Sequence, residues 1–429
     1  MNKFDKYKIP IFISLNILVL ISLFGMAYAY FKATINNTES ASTISIESGE
    51  LTINYQGNTA DIVASGIVPG WSETKKFTLS GKNTTKTNEF HTDNNLYYKI
   101  ILAIDNNTFS EGALTYSLAK DSTSSTNGKM ADEASGKINQ SGNQIIGYGY
   151  FSETSTFVDH IYNLTISFPS TEYDQSADNG KSFAAHVTIG EGKQVKTTTF
   201  AEDSWKTIAA AIKNGQLDSY PLGSEKEVEI GGTSYTVRVA NNTTPEECNR
   251  ADFSQTACGF VVEFVDILMT GSMNSTDTNV GGWPATEART LANSDYFNYL
   301  PSDLQKVIID TNVISGHGRT VGETNFTSTD KLYLLSAHEV WEDGTSNQVL
   351  KYDTASSNTR QLDYYANLGV TTNNYSGAIK QYNSSDFSWW LRAANSDDDS
   401  FFLRVNDSGD WDTGSAIGTN GFAPAFRIG

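Results

Sequence analysis

The distribution of tryptophan and arginine divides this chain into two parts near residue 200. The sequence of 429 residues has seven Trp, of which only Trp71 lies before that point, and every Arg falls between Arg238 and Arg427. Such a change in residue usage is typical of two domains of different ancestry, and the length allows each its own core. The sequence therefore predicts one domain over residues 30–200 and a second over residues 201–429.

The net charge restricts the class of partner. The chain carries a formal charge of −19 at pH 7, whereas nucleic-acid binding needs a basic surface that neutralises phosphates. We therefore expect no nucleic-acid partner. An acidic exterior favours solubility outside a cell.

The first 29 residues, "MNKFDKYKIPIFISLNILVLISLFGMAYA", have the pattern of a secretory signal peptide. Lysines precede an apolar run from Ile9 to about Gly25, and a small-x-small ending follows at Ala27-Tyr28-Ala29. The alternative is an uncleaved anchor, because a run of this length nearly spans a bilayer. Both interpretations predict an extracellular or cell-surface protein that touches the membrane only through this segment.

The first domain has the pattern of an all-β sandwich. Short stretches such as "STISIESGELTINYQG", "LYYKIILAID" and "HIYNLTISFP" alternate apolar and polar residues between turn-forming residues. The "AYAYF" sequence that leads into the first strand, together with "VPGWSETKKFTLSG", loosely resembles exported β-sandwich proteins of the camelysin and biofilm-fibre type. The resemblance implies a surface scaffold without catalytic chemistry.

The second domain opens with clear local signals. In "EDSWKTIAAAIKNGQ", apolar residues recur at helical spacing from Trp205 to Ile212, Ser204 can cap the helix, and Gly215 can end it. "EVEIGGTSYTVRVA" predicts a β-hairpin around Gly-Gly. In "SAHE", Ser336 and Glu339 form a capping-box pattern that predicts a helix start.

The second domain also resembles a known family. The series "MNSTDTNVGGWPATEARTLAN", "LPSDLQKVI", "STDKLYLLSAHEVW", "WWLRAA" and "GFAPAFRI" is similar, in order and spacing, to DUF6273, an uncharacterised family of bacterial surface domains. That family in turn resembles the C-type lectin-like fold of formylglycine-generating enzymes and of proteins diversified by retroelements. The resemblance implies an α+β domain in which the first hairpin and the last strand meet, with a loop-rich face.

Several residues are assigned structural roles. Cys248 and Cys258 are an even pair at short spacing in an exported chain, which predicts a disulfide. Large aromatic side chains and arginines within the family-like motifs are expected to form the core and satisfy its polar groups. These structural residues are Trp283, Arg289, Trp389, Trp390, Arg392 and Phe426.

No catalytic constellation stands out in the sequence. "HEVWE" lacks the second His of a zinc helix, and the chain has neither a G-x-S-x-G elbow nor a glycine-rich phosphate loop. The two cysteines lie before the "GGW" segment, unlike the active-region cysteines of formylglycine-generating enzymes. Asp397-Asp398-Asp399 lacks the alternating spacing of a calcium loop. We expect a protein that is not an enzyme and needs no cofactor or metal.

The stretch "DDDSFFLRVNDSGDWDTGSAIGTNGFAPAF" contains the candidate ligand-binding residues. Strand alternation predicts Phe401, Leu403 and Val405 in the core, a turn at residues 406–409, and a closing strand over residues 421–428. Small polar groups mixed with aromatic and arginine side chains are typical of adaptable binding surfaces, and retroelement diversification would produce such a mixture. The residues predicted to be exposed and to bind a ligand are Asp397, Asp398, Asp399, Phe402, Arg404, Asp410, Trp411, Asp412, Ser415 and Asn420.

Two functions of different class follow from the sequence. In the first, the C-terminal domain of an exported protein binds an extracellular ligand, a glycan or a protein, through its last loops. In the second, the β-sandwich assembles into a surface matrix and the C-terminal domain caps it.

Export gives the first testable prediction. Cleavage after Ala29 should leave Tyr30 as the N-terminus of the secreted protein, which mass spectrometry can read directly. An intact Met1 in the membrane fraction would instead identify the segment as an anchor.

Overall fold

The computed structural model describes residues 42–46, 49–55, 61–83, 95–319 and 324–429. The predicted signal peptide and the first residues of the predicted sandwich lie outside these ranges. The chain divides into two compact units between Gln194 and Val195, close to the predicted boundary near residue 200. No helix within the described ranges is long and apolar enough to cross a membrane.

The described part of the first unit consists mainly of antiparallel strands. Their bounds are β1 (Ser42–Ile46), β2 (Gly49–Tyr55), β3 (Asp61–Ser65), β4 (Trp71–Asn83), β5 (Leu96–Asn107), β6 (Thr115–Lys120), β7 (Ala134–Lys137), β8 (Gly142–Phe151), β9 (Thr154–Phe168) and β10 (Ser182–Glu191). They form a six-stranded sheet in the order β1-β2-β4-β9-β6-β7 and a four-stranded sheet in the order β3-β10-β5-β8.

Both sheets contribute to one hydrophobic core. Along β9 every second residue from His160 to Phe168 is buried, and along β10 every second residue from Phe183 to Ile189 is buried. This alternation is the period of two that the sequence shows, because successive side chains of a strand point to opposite faces. Apolar residues from both sheets pack together in a single cluster.

A directional hydrogen-bond chain runs through this core. His160 Nε2 donates to the Asn127 carbonyl at 2.7 Å, so Nδ1 of the neutral ring accepts from the Tyr98 hydroxyl at 2.6 Å. Tyr98 in turn accepts from Tyr162 at 2.6 Å, and Tyr162 accepts from the Ala131 amide at 2.8 Å. Burial lowers the pKa of His160 below its usual 6.5. A proton added at Nδ1 would force the chain to reverse and would leave a buried hydroxyl without an acceptor.

The first unit should therefore lose stability in mild acid. Because the folded-state pKa of His160 lies below the unfolded value, the unfolded chain binds more protons below pH 6.5, and the free energy of unfolding falls as pH falls. Each unit of pKa difference corresponds to about 1.4 kcal/mol. Hydrogen-exchange mass spectrometry at pH 7.5 and 5.5 should show this loss for residues 95–191. His160→Gln should reduce the dependence, whereas the control His186→Gln should keep it; equal dependence in both variants would contradict the assignment.

The second unit combines short helices with several small sheets. Its helices are α1 (Trp205–Lys213), α2 (Glu287–Leu291), α3 (Phe297–Tyr299), α4 (Ser302–Gln305), α5 (Ala337–Val340) and α6 (Asp363–Asn367), with a π-helical turn at Ala292–Tyr296. Its strands are β11 (Glu225–Ile230), β12 (Thr233–Asn241), β13 (Val261–Phe264), β14 (Met269–Gly271), β15 (Thr311–Ser315), β16 (Phe326–Asp330), β17 (Gln381–Tyr382), β18 (Ser385–Asp386), β19 (Trp389–Ala394), β20 (Phe401–Val405), β21 (Trp411–Ser415), β22 (Asn420–Phe422) and β23 (Ala425–Arg427).

The local predictions at the start of this unit are confirmed. Ser204 caps α1 by accepting from the Thr207 amide, and the helix buries Trp205 and Ile208. Gly231 and Gly232 join β11 to β12 with φ of 59° and 83°, the left-handed backbone that a two-residue hairpin turn requires.

The end of the chain differs from the single closing strand that the sequence predicts. Residues 420–427 form two short strands separated at Pro424, which has no amide hydrogen to donate to a ladder. β22 joins the five-stranded sheet β14-β22-β19-β20-β21, whereas β23 joins the four-stranded sheet β11-β12-β13-β23. The first hairpin and the last strand therefore share one sheet, with β13 between them. The described chain as a whole is mostly β-sheet.

The predicted disulfide is present. Cys248 and Cys258 are joined, and both residues are buried. They close a loop between β12 and β13, and Phe253 of this loop packs with the two cysteines in a small separate cluster.

Candidate functional site

Strand β19, "WWLRAA", lies at the centre of the five-stranded sheet, and all six of its residues are buried. The indole nitrogen of Trp389 donates to the Ala378 carbonyl at 3.0 Å, and that of Trp390 donates to the Gly271 carbonyl at 2.9 Å. Each large apolar side chain thus satisfies its one polar atom inside the core. β19 is a rigid support for the strands beside it.

A buried ion pair fixes β19 to helix α5. Arg392 donates from both terminal nitrogens to the two carboxylate oxygens of Glu339, each at 2.6 Å, and the two side chains are 1% and 0% exposed. Burial alone would raise the pKa of Glu339, but Arg392 holds it below its usual value. Glu339 also accepts from the Ser336 amide in the predicted capping box and from the hydroxyl of Thr359. Arg392 also donates to the backbone carbonyl of Leu334, so its guanidinium binds both a carboxylate and a backbone carbonyl, as the sequence predicts.

The other predicted structural residues also lie in buried contacts. The Trp283 indole and the Arg289 guanidinium donate to different oxygens of Asp330, at 2.8 and 2.7 Å, and the Asp330 side chain is fully buried. Phe426 packs edge-to-face on Trp205, which brings the last strand against helix α1.

Two of the predicted ligand-binding residues are buried, and the predicted exposure of both is wrong. Phe402 is 0% exposed and Asn420 is 2% exposed. The prediction assumed that one face of β20 meets water, but Phe402 on one face and Leu403 and Val405 on the other are all buried. Alternation therefore does not separate core from surface on this strand.

Arg404 is engaged within the domain. It donates to Asp412 on the neighbouring strand at 2.6 Å and to the Asn420 side chain at 2.8 Å. The Ser415 hydroxyl donates to Asp277 at 2.6 Å. These contacts stabilise the sheet surface and occupy the polar groups that the sequence assigned to a ligand.

The acidic loop between β19 and β20 is held by one amide. The side-chain nitrogen of Asn279, which is 1% exposed, lies within hydrogen-bond distance of the carbonyls of Asn395, Asp398 and Phe401, at 3.1, 2.7 and 2.7 Å, and shares its two hydrogens among them. The Asp398 carboxylate accepts from the hydroxyl and amide of Ser400, which lower its pKa. Asp397 and Asp399 remain exposed.

Beside this loop lies a stack of side chains that the sequence did not reveal. Lys351 Nζ lies 4.8 Å above the ring of Tyr352, and that ring is 5.5 Å from Trp411, with planes 31° apart. The Ser396 amide donates to the Tyr352 carbonyl at 3.0 Å, which ties the acidic loop to the stack. Tyr352 and Trp411 are half-buried, so parts of their rings face solvent. Lys351 and Tyr352 lie about sixty residues before Trp411, in a short 3-10 helix (Leu350–Tyr352) that has no periodic signal in the sequence.

Six residues of the stack and of the adjoining loops are here named the aromatic–acidic face. They are Lys351, Tyr352, Asp397, Asp399, Asp410 and Trp411. Asp410 precedes Trp411 in the chain, and the Ser396 amide ties the loop that contains Asp397 and Asp399 to Tyr352. Together these residues offer apolar ring surface, carboxylates and one ammonium group. Nowhere within the described ranges do three His, Cys, Asp or Glu side chains gather as metal ligands.

The buried pair gives a stability prediction. Glu339→Gln should lower the free energy of unfolding of the second unit by about 3–5 kcal/mol, because Arg392 would keep its charge without a counter-charge. Glu342→Gln on an exposed neighbouring side chain should change it by about 0.5 kcal/mol or less. Denaturant titration followed by Trp fluorescence reports mainly on this unit, which has six of the seven Trp. Equal midpoints for the two variants would contradict the role given to Glu339.

Comparison with known proteins agrees with part of this description. No curated protein and no solved structure matches the chain. The model of the family DUF6273, described as a domain of unknown function, matches residues 263–429, from strand β13 to the last residue. The C-terminal part of this chain is therefore similar to the DUF6273 family.

Proposed function

We propose that this is an exported bacterial surface protein whose C-terminal unit is a ligand-binding module of the C-type lectin-like kind. Two features of the second unit support that fold. Its first hairpin and last strand share the sheet β11-β12-β13-β23, and long irregular segments connect its other strands. The first unit serves as a β-sheet scaffold that carries the binding unit away from the cell.

Export is supported by three features of the chain. The sequence begins with a signal-like segment, the formal charge is −19, and Cys248 and Cys258 form a disulfide. Disulfides persist in oxidising compartments outside the cytosol, and high net charge favours solubility there.

The observation that carries the binding proposal is the Tyr352–Trp411 stack beside the acidic loop. Partly buried aromatic rings can present apolar surface at little conformational cost, because each ring is already held by packing. A saccharide ring has apolar C–H faces that can lie on such a surface and hydroxyls that can donate to Asp397 and Asp399. The aromatic–acidic face therefore suits a glycan better than an extended apolar segment of a protein.

The face is preorganised for this role. The Asn279 amide fixes the carbonyls of the acidic loop, and the Asn406 side chain accepts from the amides of Ser408 and Asp410 in the turn that leads to Trp411. Rigid loops lose less entropy when they bind, so more of the contact energy appears as affinity.

Trp411→Ala should weaken binding to any saccharide that a glycan array identifies for the full chain. We expect at least a tenfold loss of affinity, or about 1.4 kcal/mol, because the main stacking surface is removed. Tyr299→Ala is the matched control, since Tyr299 is an aromatic side chain of the same unit that is 60% exposed and lies outside the face. Calorimetric titration on variants with unchanged circular dichroism gives the comparison. Full affinity in Trp411→Ala, or loss in Tyr299→Ala, would refute the proposed face.

A further inference from the structure

Four Asn-Gly pairs occur in the chain, and the two residues of such a pair can react with each other. Glycine has no side chain to shield its backbone nitrogen, and that nitrogen can reach the side-chain carbonyl carbon of the preceding asparagine. The four pairs are Asn127-Gly128, Asn179-Gly180, Asn214-Gly215 and Asn420-Gly421. All of them lie in the described ranges, so the fold decides which pair is free to react.

The pair nearest the C-terminus is held at both reacting groups. Asn420 is 2% exposed, and its side-chain oxygen accepts from Arg404 at 2.8 Å. The Gly421 amide donates to the Ser388 carbonyl at 2.8 Å. Neither group can move toward the other without the loss of a hydrogen bond.

The first and third pairs are also held by hydrogen bonds. The Asn127 side-chain oxygen accepts from the Ser152 amide at 3.0 Å. At the third pair, the Asn214 side chain donates to Gln216 at 2.8 Å, and the glycine that follows it donates its amide to a carbonyl of helix α1 at 2.8 Å. Reaction at either pair would first have to break these bonds.

The pair Asn179-Gly180 differs from the other three because both residues are exposed. They occupy the two central positions of a type II turn, in which Asn179 has φ of −65° and ψ of 130° and Gly180 has φ of 73°. The Asn179 side chain and the Gly180 amide form no hydrogen bond within the described part of the chain. Across the turn, the Lys181 amide donates to the Asp178 carbonyl at 3.3 Å. This long bond is the contact that opposes rotation of the glycine nitrogen toward the asparagine side chain.

We propose that Asn179 is a site of spontaneous covalent modification in the folded protein. The Gly180 nitrogen attacks the Asn179 side-chain carbonyl carbon and forms a C–N bond, while the bond from that carbon to Nδ2 breaks. Ammonia leaves with the proton of the glycine amide, and a five-membered imide remains. Water then adds to either imide carbonyl and opens the ring, which leaves aspartate or isoaspartate at position 179. The reaction needs no oxidant or reductant, and it does not depend on the aromatic–acidic face.

Isoaspartate at this position would alter the start of strand β10. It carries the backbone through one extra carbon and adds a carboxylate beside Asp178, which accepts from the Ser110 amide at 2.6 Å. On the other side of the turn, the Ser182 amide donates to the Thr108 hydroxyl at 2.8 Å. Both contacts reach the loop that follows β5, so the modification changes the spacing between two anchors of the same loop.

Incubation of the full chain at pH 8.5, followed by peptide mass spectrometry, tests the site. The modification raises the mass of a peptide because OH replaces NH2, and electron-transfer fragmentation distinguishes isoaspartate from aspartate. We expect conversion of Asn179 at least ten times faster than conversion at any of the other three pairs in the same sample. The product should include isoaspartate, which direct hydrolysis of the side chain does not give. The rate should be lower at pH 7, because the deprotonated glycine nitrogen is the nucleophile.

The unfolded chain separates the effect of the fold from that of the sequence. In urea all four pairs should convert at similar rates, because the hydrogen bonds that protect three of them are lost. Asn179→Gln should remove the modification at this position and leave the melting temperature unchanged, since the side chain is exposed. Equal rates at the four pairs of the folded chain, a product without isoaspartate, or a tenfold excess at Asn179 that persists in urea would overturn the proposal.

Discussion

The ion pair between Arg392 and Glu339 is the contact on which the second unit depends. It joins the central strand β19 to helix α5, and Glu339 also accepts hydrogen bonds from the hydroxyls of Thr256, in the disulfide loop, and of Thr359. Four segments that are distant in sequence therefore meet at one carboxylate. Both charges are fully buried, so neither can be hydrated if the other is removed. The pair makes the correct arrangement of these segments much more favourable than any arrangement that separates them.

A second buried charged cluster, centred on Glu263, joins distant segments at the sheet β11-β12-β13-β23. Glu263 on β13 accepts from Arg238 at 2.8 Å and from Lys380 at 3.0 Å, and Tyr365 donates to it at 2.9 Å. The Lys380 and Glu263 side chains are both 0% exposed, and this burial lowers the pKa of Lys380 to about 8. DUF6273 similarity begins at residue 263, yet the sheet around this carboxylate includes β11 and β12, which precede it. The folded unit is thus larger than the region of similarity.

Local patterns in the sequence predicted local structure well. The Gly231-Gly232 hairpin, the Ser204 cap and the Ser336 capping box each depend on residues within four positions of one another. The partner of Glu339, by contrast, is 53 residues away, and no local pattern identifies it. Phe402 was misplaced for the same reason, since burial of both faces of β20 depends on strands and loops elsewhere. Tyr352 was missed because its contact with Trp411 exists only in the folded chain.

The Asn279 side chain has a consequence for how the acidic loop can evolve. Its amide binds three backbone carbonyls, which every amino acid possesses, and it comes from a segment more than a hundred residues earlier. The path of the loop is therefore set independently of the side chains at Asp397 and Asp399. Substitutions at these exposed positions can change the chemistry displayed without refolding the backbone. Chains that keep Asn279 would then display different side chains at these two positions on the same backbone.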